Sequence, residues 1–192
     1  GVGKTETAKF IAEIIGRELF RKQFSMYQNN SFSDYLFGAS HTSSSFAKDL
    51  LDRQSNVILL DEFDKANNLF YSAFYQLFDE GIYSDRNYEV HLENRLIICT
   101  SNFLSVAHIK EVLGEPIYNR FDLVVEFSEL SKEISEKIIL NRYATTINIL
   151  DSSDRKIIDE FGELERLMEY AQHLKNVRAI DKFIDEYIFQ TI

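Results

Sequence analysis

The sequence has little cysteine, little basic charge and no long apolar run. Its single cysteine, Cys99, cannot form a disulfide within the chain, which excludes the disulfide-stapled secreted domains and favours a reducing cytoplasm. No apolar run approaches the ~20 residues that cross a bilayer, so the sequence predicts no membrane segment.

Basic residues are outnumbered, with 21 Lys and Arg against 31 Asp and Glu and a formal net charge of −10. A chain of this charge repels the nucleic-acid backbone unless a local basic patch offsets it, so we do not expect nucleic acid as a partner. The 192 residues are 45% apolar, which is enough for the core of one ordinary domain, or of one domain with a small appendage.

Short apolar runs alternate with helical patterns along the first part of the chain. Runs rich in branched or aromatic residues are typical of buried parallel strands, and they occur at 24–28, 56–62, 95–102 and 123–127. The alternation predicts an α/β fold, a parallel sheet flanked by helices.

After about Ser131 the strand patterns cease and four helical stretches follow. We therefore predict a large α/β domain over 1–131 and a small all-helical domain over 132–192.

The chain opens on the last five residues of the phosphate-loop pattern G-x-x-x-x-G-K-[ST], and a helical pattern follows. Backbone N–H groups at a helix start bind phosphate, the lysine reaches the β- and γ-phosphates, and the hydroxyl binds Mg²⁺. A match this short also fits an ordinary glycine turn. Because the first glycine and the strand before such a loop are not in the sequence, we expect it to be part of a longer chain. The residues of the match are Gly1, Val2, Gly3, Lys4 and Thr5.

A second motif, VILLDEFDK, is an apolar strand that ends in two carboxylates. Asp61 at the strand end can hold the shell of a metal ion, and Glu62 beside it can polarise a water. A strand ending in a solvated acidic turn is the alternative. The Lys-Thr loop upstream favours the catalytic interpretation.

Three more polar residues lie where they could act on a nucleotide, although each can also be explained as a capping or surface residue. Asn102 follows the strand IICTS and can orient a water, or it can cap the next helix. Arg120 precedes the last predicted strand and Arg178 lies near the start of the last helix, and either can be a plain surface residue.

The order of these motifs resembles that of the AAA+ ATPases, and most closely the second ATPase module of the Clp-type unfoldases and disaggregases. The resemblance runs nearly end to end. The segments that carry it are GVGKTETAK (Walker A), VILLDEFDKAN (Walker B), FDEGIYSDRNYEVHLENRLIICTSN, YNRFDLVVEFSEL and NVRAIDKFI.

The resemblance implies ATP and Mg²⁺ as cofactors and assigns a role to each motif residue. Asp61 would be the metal partner together with Thr5, Glu62 the general base and Asn102 the first sensor. The nucleotide would be bound by Gly1, Val2, Gly3, Lys4, Thr5, Glu6 and Arg178.

The resemblance also implies an assembly and a partner. Arg120 would be an arginine finger that reaches the nucleotide of a neighbouring subunit, which implies a homo-oligomeric ring, usually a hexamer. Hydrolysis in such a ring would drive the remodelling or unfolding of protein substrates in the cytoplasm.

The sequence departs from the family pattern in three places. Ser-His-Thr-Ser, at 40–43, stands where the unfoldases carry a Gly-Tyr-Val-Gly pore loop, so the threading of substrates is left open. The segment 102–120 is too short for the loop that docks a peptidase ring, so peptidase docking is not expected. Asn176 and Val177 replace Gly-Ala before Arg178.

Two alternatives remain at this stage. An AAA+ ATPase of another branch, such as a helicase loader or a transposition helper, would call for a basic patch that the net charge does not suggest. The other alternative is a regulatory ATP-binding module without threading activity. A non-enzymatic binding module with a vestigial site is disfavoured because Lys4, Asp61, Glu62, Asn102 and Arg120 occur together.

Overall fold

A computed structural model of the chain describes residues 3–26, 31–66, 68–161, 164–171 and 173–192. These residues form two compact units, Thr5–Val125 and Glu126–Ile192, the latter grouped with Gly3 and Lys4. Each unit has its own apolar core. The domain boundary between 131 and 132 stays a prediction, because a compact unit is not the same thing as a functional domain. No described helix is both long and apolar enough to cross a bilayer.

The Thr5–Val125 unit is an α/β arrangement. Its helices are α1 (Lys4–Ile15), α2 (Ser31–Phe37), α3 (Phe46–Leu51), α4 (Tyr75–Asp79), α5 (Val106–Leu113) and α6 (Glu115–Tyr118). Its strands are β1 (Phe20–Gln23), β2 (Val57–Asp61), β3 (Ile82–Ser84), β4 (Glu89–His91) and β5 (Leu96–Cys99). Short 3₁₀ turns lie at Phe24–Met26, Phe63–Lys65 and Asn68–Phe74.

The main sheet of the described residues is parallel, in the order β1-β2-β5, and β3 and β4 form a separate antiparallel hairpin. All five residues of β2 are buried, as an inner parallel strand requires. Gln23 pairs in register with Asp61, and Leu60 with Cys99. Because the strands are parallel, their carboxyl ends meet at one edge of the sheet, where the polar motif residues gather.

The strand predicted at 24–28 is misplaced, since β1 begins four residues earlier at Phe20. Phe24 lies in a 3₁₀ turn, and its ring packs edge-to-face against Phe32, Phe63 and Phe74 at 5.5–5.6 Å. Phe24 therefore packs into the apolar core just after the strand has ended. The side chains of β1 itself are at most partly buried, which is why this strand can be polar. Residues 27 and 28 lie outside the described residues.

The strand predicted at 123–127 does not form either. The segment 123–127 has no regular structure, and Leu123 and Val125 are 77% and 62% exposed. An apolar run becomes a strand only where a neighbouring strand accepts its backbone hydrogen bonds. Among the described residues, no strand pairs with this segment.

The second unit is all-helical, as the sequence predicted, with α7 (Lys132–Ile149), α8 (Ser152–Phe161), α9 (Leu164–Ala171) and α10 (Val177–Thr191). Its buried residues are Ile139, Ile158, Leu167, Ile180, Ile184 and Ile188. Asn176, one of the departures from the family pattern, is the N-cap of α10, and its side chain accepts a hydrogen bond from the Ala179 N–H at 2.9 Å. An α/β unit followed by a helical unit confirms the predicted fold class.

Candidate active site

The described part of the phosphate-loop motif has the local conformation expected of it. Gly3 has a φ of 100°, a region open to glycine at little cost, and α1 begins at the next residue, Lys4. Gly1 and Val2 lie outside the described residues. A helix therefore starts directly after Gly3, as the predicted phosphate site requires.

Thr5 and Asp61, 56 residues apart in sequence, lie in contact. The Thr5 hydroxyl is 3.2 Å from Oδ1 and 3.4 Å from Oδ2 of Asp61. Asp61 ends β2 and is 4% exposed. The structure thus brings together the two residues that the sequence predicted as metal ligands.

Both carboxylate oxygens of Asp61 have further donors. The Thr100 hydroxyl donates to Oδ1. Arg21 of β1 donates to Oδ2 through Nε at 2.9 Å and through Nη2 at 2.5 Å. This buried carboxylate is therefore fully satisfied by donors from three separate segments of the chain.

The pKa of Asp61 is set by opposing effects. Burial raises the pKa, but hydrogen bonds from Thr100, Arg21 and Thr5 and the positive charge of Arg21 outweigh that effect and leave the pKa below its ordinary value. Asp61 is accordingly ionised at neutral pH, and the ionised carboxylate is the form that binds a cation.

Thr100, just after β5, also holds the backbone that follows β2. Its hydroxyl accepts from the Glu62 N–H at 3.0 Å, and its carbonyl accepts from the Phe63 N–H at 2.8 Å. Glu62 has a φ of 56°, a left-handed conformation that costs a non-glycine residue about 1–2 kcal/mol. The bonds to Thr100 keep Glu62 in this strained position, which is common for residues at functional sites.

The Glu62 carboxylate, the predicted general base, is held by β1 and the turn after it. Gln23 donates from Nε2 to Oε2 of Glu62 at 3.1 Å and to the Ser25 hydroxyl at 3.0 Å. Hydrogen bonds from Ser25 and Gln23 lower the pKa of Glu62, against smaller opposing effects of burial and of the Asp61 charge. Glu62 is therefore ionised and restrained.

Sequence reasoning missed Arg21, Gln23 and Thr100. Arg21 and Gln23 lie on one face of the sheet because strand side chains alternate between faces. The sequence feature that could have identified them is a pair of polar residues at positions i and i+2 of a strand. The predicted strand at 24–28 begins after both residues, so the sequence analysis assigns them no role. Thr100 was visible as the first polar residue after the apolar run IIC.

Three other predicted site residues lie in different parts of the chain. Asn102 follows Thr100 by two residues and is exposed, in a segment without regular structure. Glu6 is exposed and its carboxylate forms an ion pair with Lys9 at 2.7 Å. Arg178 is the second residue of α10, in the other unit, and is exposed. The roles of these three residues stay predictions.

Arg120, the predicted arginine finger, lies just beyond α6 and is held by its own chain. Its Nε donates to Oδ2 of Asp79 at 2.8 Å, and its Nη1 donates to the Pro116 carbonyl at 2.6 Å. The guanidinium carbon lies 4.5 Å from the centre of the Tyr75 ring. Arg120 is thus placed by α4 and α6, apart from the Asp61 network.

The oxygen atoms of Thr5 and Asp61 fit the ligand chemistry of Mg²⁺. Within the described ranges, no three His, Cys, Asp or Glu side chains are grouped so as to hold a metal ion. Mg²⁺ needs no such cage, because it usually takes one or two protein oxygens and completes its shell with phosphates and water. The Thr5 hydroxyl and the Asp61 carboxylate are oxygen donors of that kind.

Comparison with known proteins identifies the family of the chain. The model of the family described as "AAA domain (Cdc48 subfamily)" matches residues 1–153. The chain is 26% identical to an ATP-dependent Clp protease ATP-binding subunit ClpL of Staphylococcus aureus, over 100% of this chain and 32% of that protein. It is 27% identical to the chaperone protein ClpB of Malacoplasma penetrans, over 100% of this chain and 31% of that protein.

A third relative, a ClpA homolog of Fuscovulum blasticum, is 32% identical over 77% of this chain and 22% of that protein. The chain thus spans about a third or less of these relatives. A solved structure described as "Closed State CryoEM Reconstruction of Hsp104:ATPyS and FITC casein" shares the fold, with a TM-score of 0.76 and 19% identity over 99% of this chain and 38% of that one. The family match covers most of the sequence, and the chain therefore belongs to the AAA family as a Clp-like ATPase domain.

Proposed function

We propose that this chain binds ATP with Mg²⁺ and hydrolyses it as one subunit of a homo-oligomeric ring that remodels protein substrates in the cytoplasm. The observation that carries the proposal is the contact of Thr5 with Asp61 at 3.2 Å, with Glu62 held in a strained turn beside it. Phosphoryl transfer needs positioning and charge neutralisation, and these groups supply both.

The loop residues bind and orient the phosphates in this proposal. The ligands of the nucleotide are Gly1, Val2, Gly3, Lys4, Thr5 and Glu6. When bound, Mg²⁺ neutralises the charge that develops on the phosphates. Thr5 supplies a hydroxyl to its shell, and Asp61 supplies a carboxylate that stays ionised because its pKa is lowered.

Glu62 takes the proton of the attacking water. Its carboxylate is ionised, as a general base must be, but Gln23 and Ser25 occupy it. We infer that these bonds lengthen when the water is in place, so that the base becomes available with the substrate. Asn102 would orient the same water.

The proposed ring rests on Arg120, and the proposed protein substrate rests on the relatives. Arg120 would contact the nucleotide of the neighbouring subunit, and Arg178 that of its own subunit. A protein substrate is favoured by the chaperone among the relatives and by the casein named with the structural neighbour. One relative is named a subunit of a Clp protease, but the short 102–120 segment argues against peptidase docking here.

The experiment compares Lys4→Ala and Glu62→Gln in the full-length protein. Lys4→Ala is expected to abolish ATP binding, because the lysine meets the phosphates before reaction. Glu62→Gln is expected to keep ATP binding and to lower turnover by ~10²–10⁴-fold, the usual share of a general base. Binding is measured with a fluorescent ATP analogue, and turnover by phosphate release.

The matched control is Glu80→Gln, since Glu80 is an acidic residue whose carboxylate contacts Gln76 at 3.1 Å, outside the site. It is expected to leave binding and turnover unchanged. Equal turnover in wild type and Glu62→Gln would remove Glu62 from its role.

A further inference from the structure

We propose that Arg21 is a built-in counter-ion of Asp61, which a divalent cation must displace before it uses that carboxylate. The inference rests on the proposed function, because it takes Asp61 to be the metal partner. Arg21 then acts as a positioning residue that sets the Mg²⁺ concentration at which the site becomes half-saturated.

The geometry places Arg21 where a cation would act. Two of its nitrogens, Nε and Nη2, donate to the same oxygen, Oδ2 of Asp61, at 2.9 and 2.5 Å. The other oxygen, Oδ1, takes the hydroxyls of Thr5 and Thr100. A cation that approaches Asp61 therefore finds the carboxylate already neutralised.

The two partners of this ion pair differ in exposure. The Asp61 side chain is 5% exposed, whereas that of Arg21 is 41% exposed. A buried carboxylate without a counter-charge is unfavourable, so Arg21 stabilises Asp61 when no metal is present. Arg21 can turn into solvent at smaller cost than Asp61 because its side chain is already partly exposed. Asp61 and Thr100 are buried and remain in place.

The neighbouring residue on the same strand offers a matched comparison. Lys22 points to the opposite face of β1 and forms an ion pair with Asp49 at 2.5 Å. It has the same charge and the same strand as Arg21 but does not contact Asp61. Lys22→Gln therefore controls for the loss of a cation and of an ion pair from β1.

The experiment titrates Mg²⁺ in the wild type, Arg21→Gln, Arg21→Lys and Lys22→Gln. Two quantities are measured: the thermal midpoint without nucleotide, in EDTA and at rising Mg²⁺, and the Mg²⁺ concentration that gives half-maximal binding of a fluorescent ATP analogue. Neither measurement depends on turnover.

Arg21→Gln is expected to lower the thermal midpoint in EDTA and to regain part of it as Mg²⁺ is added. It should lower the half-saturating Mg²⁺ concentration by about tenfold, the effect of one charge-assisted hydrogen bond that no longer competes. Arg21→Lys keeps the charge and should lie near the wild type. Lys22→Gln should shift the midpoint equally in EDTA and in Mg²⁺ and leave the half-saturating concentration unchanged.

The inference is overturned if Arg21→Gln raises the half-saturating Mg²⁺ concentration, which would show that Arg21 assists the metal or the phosphates. It is overturned as well if Arg21→Gln and Lys22→Gln behave alike. A wild type that binds no nucleotide would overturn the proposed function instead. In that case the thermal midpoints at rising Mg²⁺ still decide the role of Arg21.

Discussion

Asp61 and Arg120, two charged residues of the Thr5–Val125 unit, are held in opposite ways. Asp61 is buried, and its donors come from α1, β1 and the residue after β5. The Arg120 side chain is 25% exposed, and its ionic partner Asp79 is 46% exposed. The first centre is assembled by the sheet, whereas the second is held by neighbouring helices at the surface.

The difference indicates what each centre can do. A buried polar group that loses a partner without a replacement costs about 1–3 kcal/mol, so Asp61 itself stays in place and only its more exposed partner, Arg21, is free to exchange for a cation. An exposed ion pair contributes only about 0–1 kcal/mol, so Arg120 can exchange Asp79 for another anion. A fixed carboxylate and an exchangeable arginine are what the proposed function requires of Asp61 as metal partner and of Arg120 as the group that reaches a neighbouring subunit.

The largest expected effect falls on the exposed centre. Arg120→Ala should lower the ATPase rate by ~10³-fold or more with little change in nucleotide affinity, because an arginine finger acts on the transition state. Arg86→Ala, at another exposed arginine of the same unit, is the control and should leave the rate unchanged. An unaffected rate in Arg120→Ala would break the comparison. So would a rate per subunit that is independent of protein concentration down to a demonstrated monomer.

A smaller effect is expected at the buried centre. Thr100→Val keeps the shape of the side chain but removes the hydroxyl that joins Asp61 to the Glu62 N–H. It should lower the free energy of unfolding by about 1–3 kcal/mol, measured in urea. Thr42→Val, at an exposed threonine, should change stability by less than about 0.5 kcal/mol. Equal losses in the two variants would show that the Asp61 network is not tightly assembled.

The buried centre also predicts a dependence on pH. The pKa of Asp61 is lower in the folded chain than in the unfolded chain, so its contribution to stability is present at neutral pH. That contribution is lost as the pH falls below ~4 and through the folded pKa. Thr100→Val removes a donor to the carboxylate and should move the acid-unfolding midpoint to higher pH, followed by circular dichroism. A midpoint that moves to lower pH would contradict this account.

The smallest effect concerns the ion pair of Arg120. Asp79→Asn should change the free energy of unfolding by less than about 1 kcal/mol, since both side chains are partly exposed. The unfolding transition in urea measures it. A loss above about 2 kcal/mol, beyond the range of an exposed pair, would mean that Arg120 is fixed to Asp79, and the contrast with Asp61 would fail.

Most of the fold could be predicted from the sequence. The strand ending at Asp61 was predicted because four apolar residues in a row, Val57 to Leu60, precede two carboxylates. The helices after Ser131 were equally clear from their spacing. The predictions of strands at 24–28 and 123–127 were wrong. An apolar run indicates that its side chains are favoured in the core, but it does not show whether a neighbouring strand is present to pair with.

The site was predicted only in part, and for a related reason. Residues of known motifs, such as Thr5, Asp61 and Glu62, can be identified because nucleotide chemistry demands those types at those spacings. Arg21, Gln23 and Thr100 belong to no such motif. They matter because the fold places them within hydrogen-bond distance of the carboxylates of Asp61 and Glu62.

The sequence by itself thus determined the family, the alternation of helices and strands, and the residues whose chemistry is intrinsic. Only the tertiary structure decided which donors neutralise Asp61, how Glu62 is held, and that Arg120 is bound to Asp79. The physical reason is that periodicity and motif spacing are local properties of the chain. Hydrogen bonds between residues 21, 61 and 100 depend on the parallel register of three strands, which no local pattern specifies.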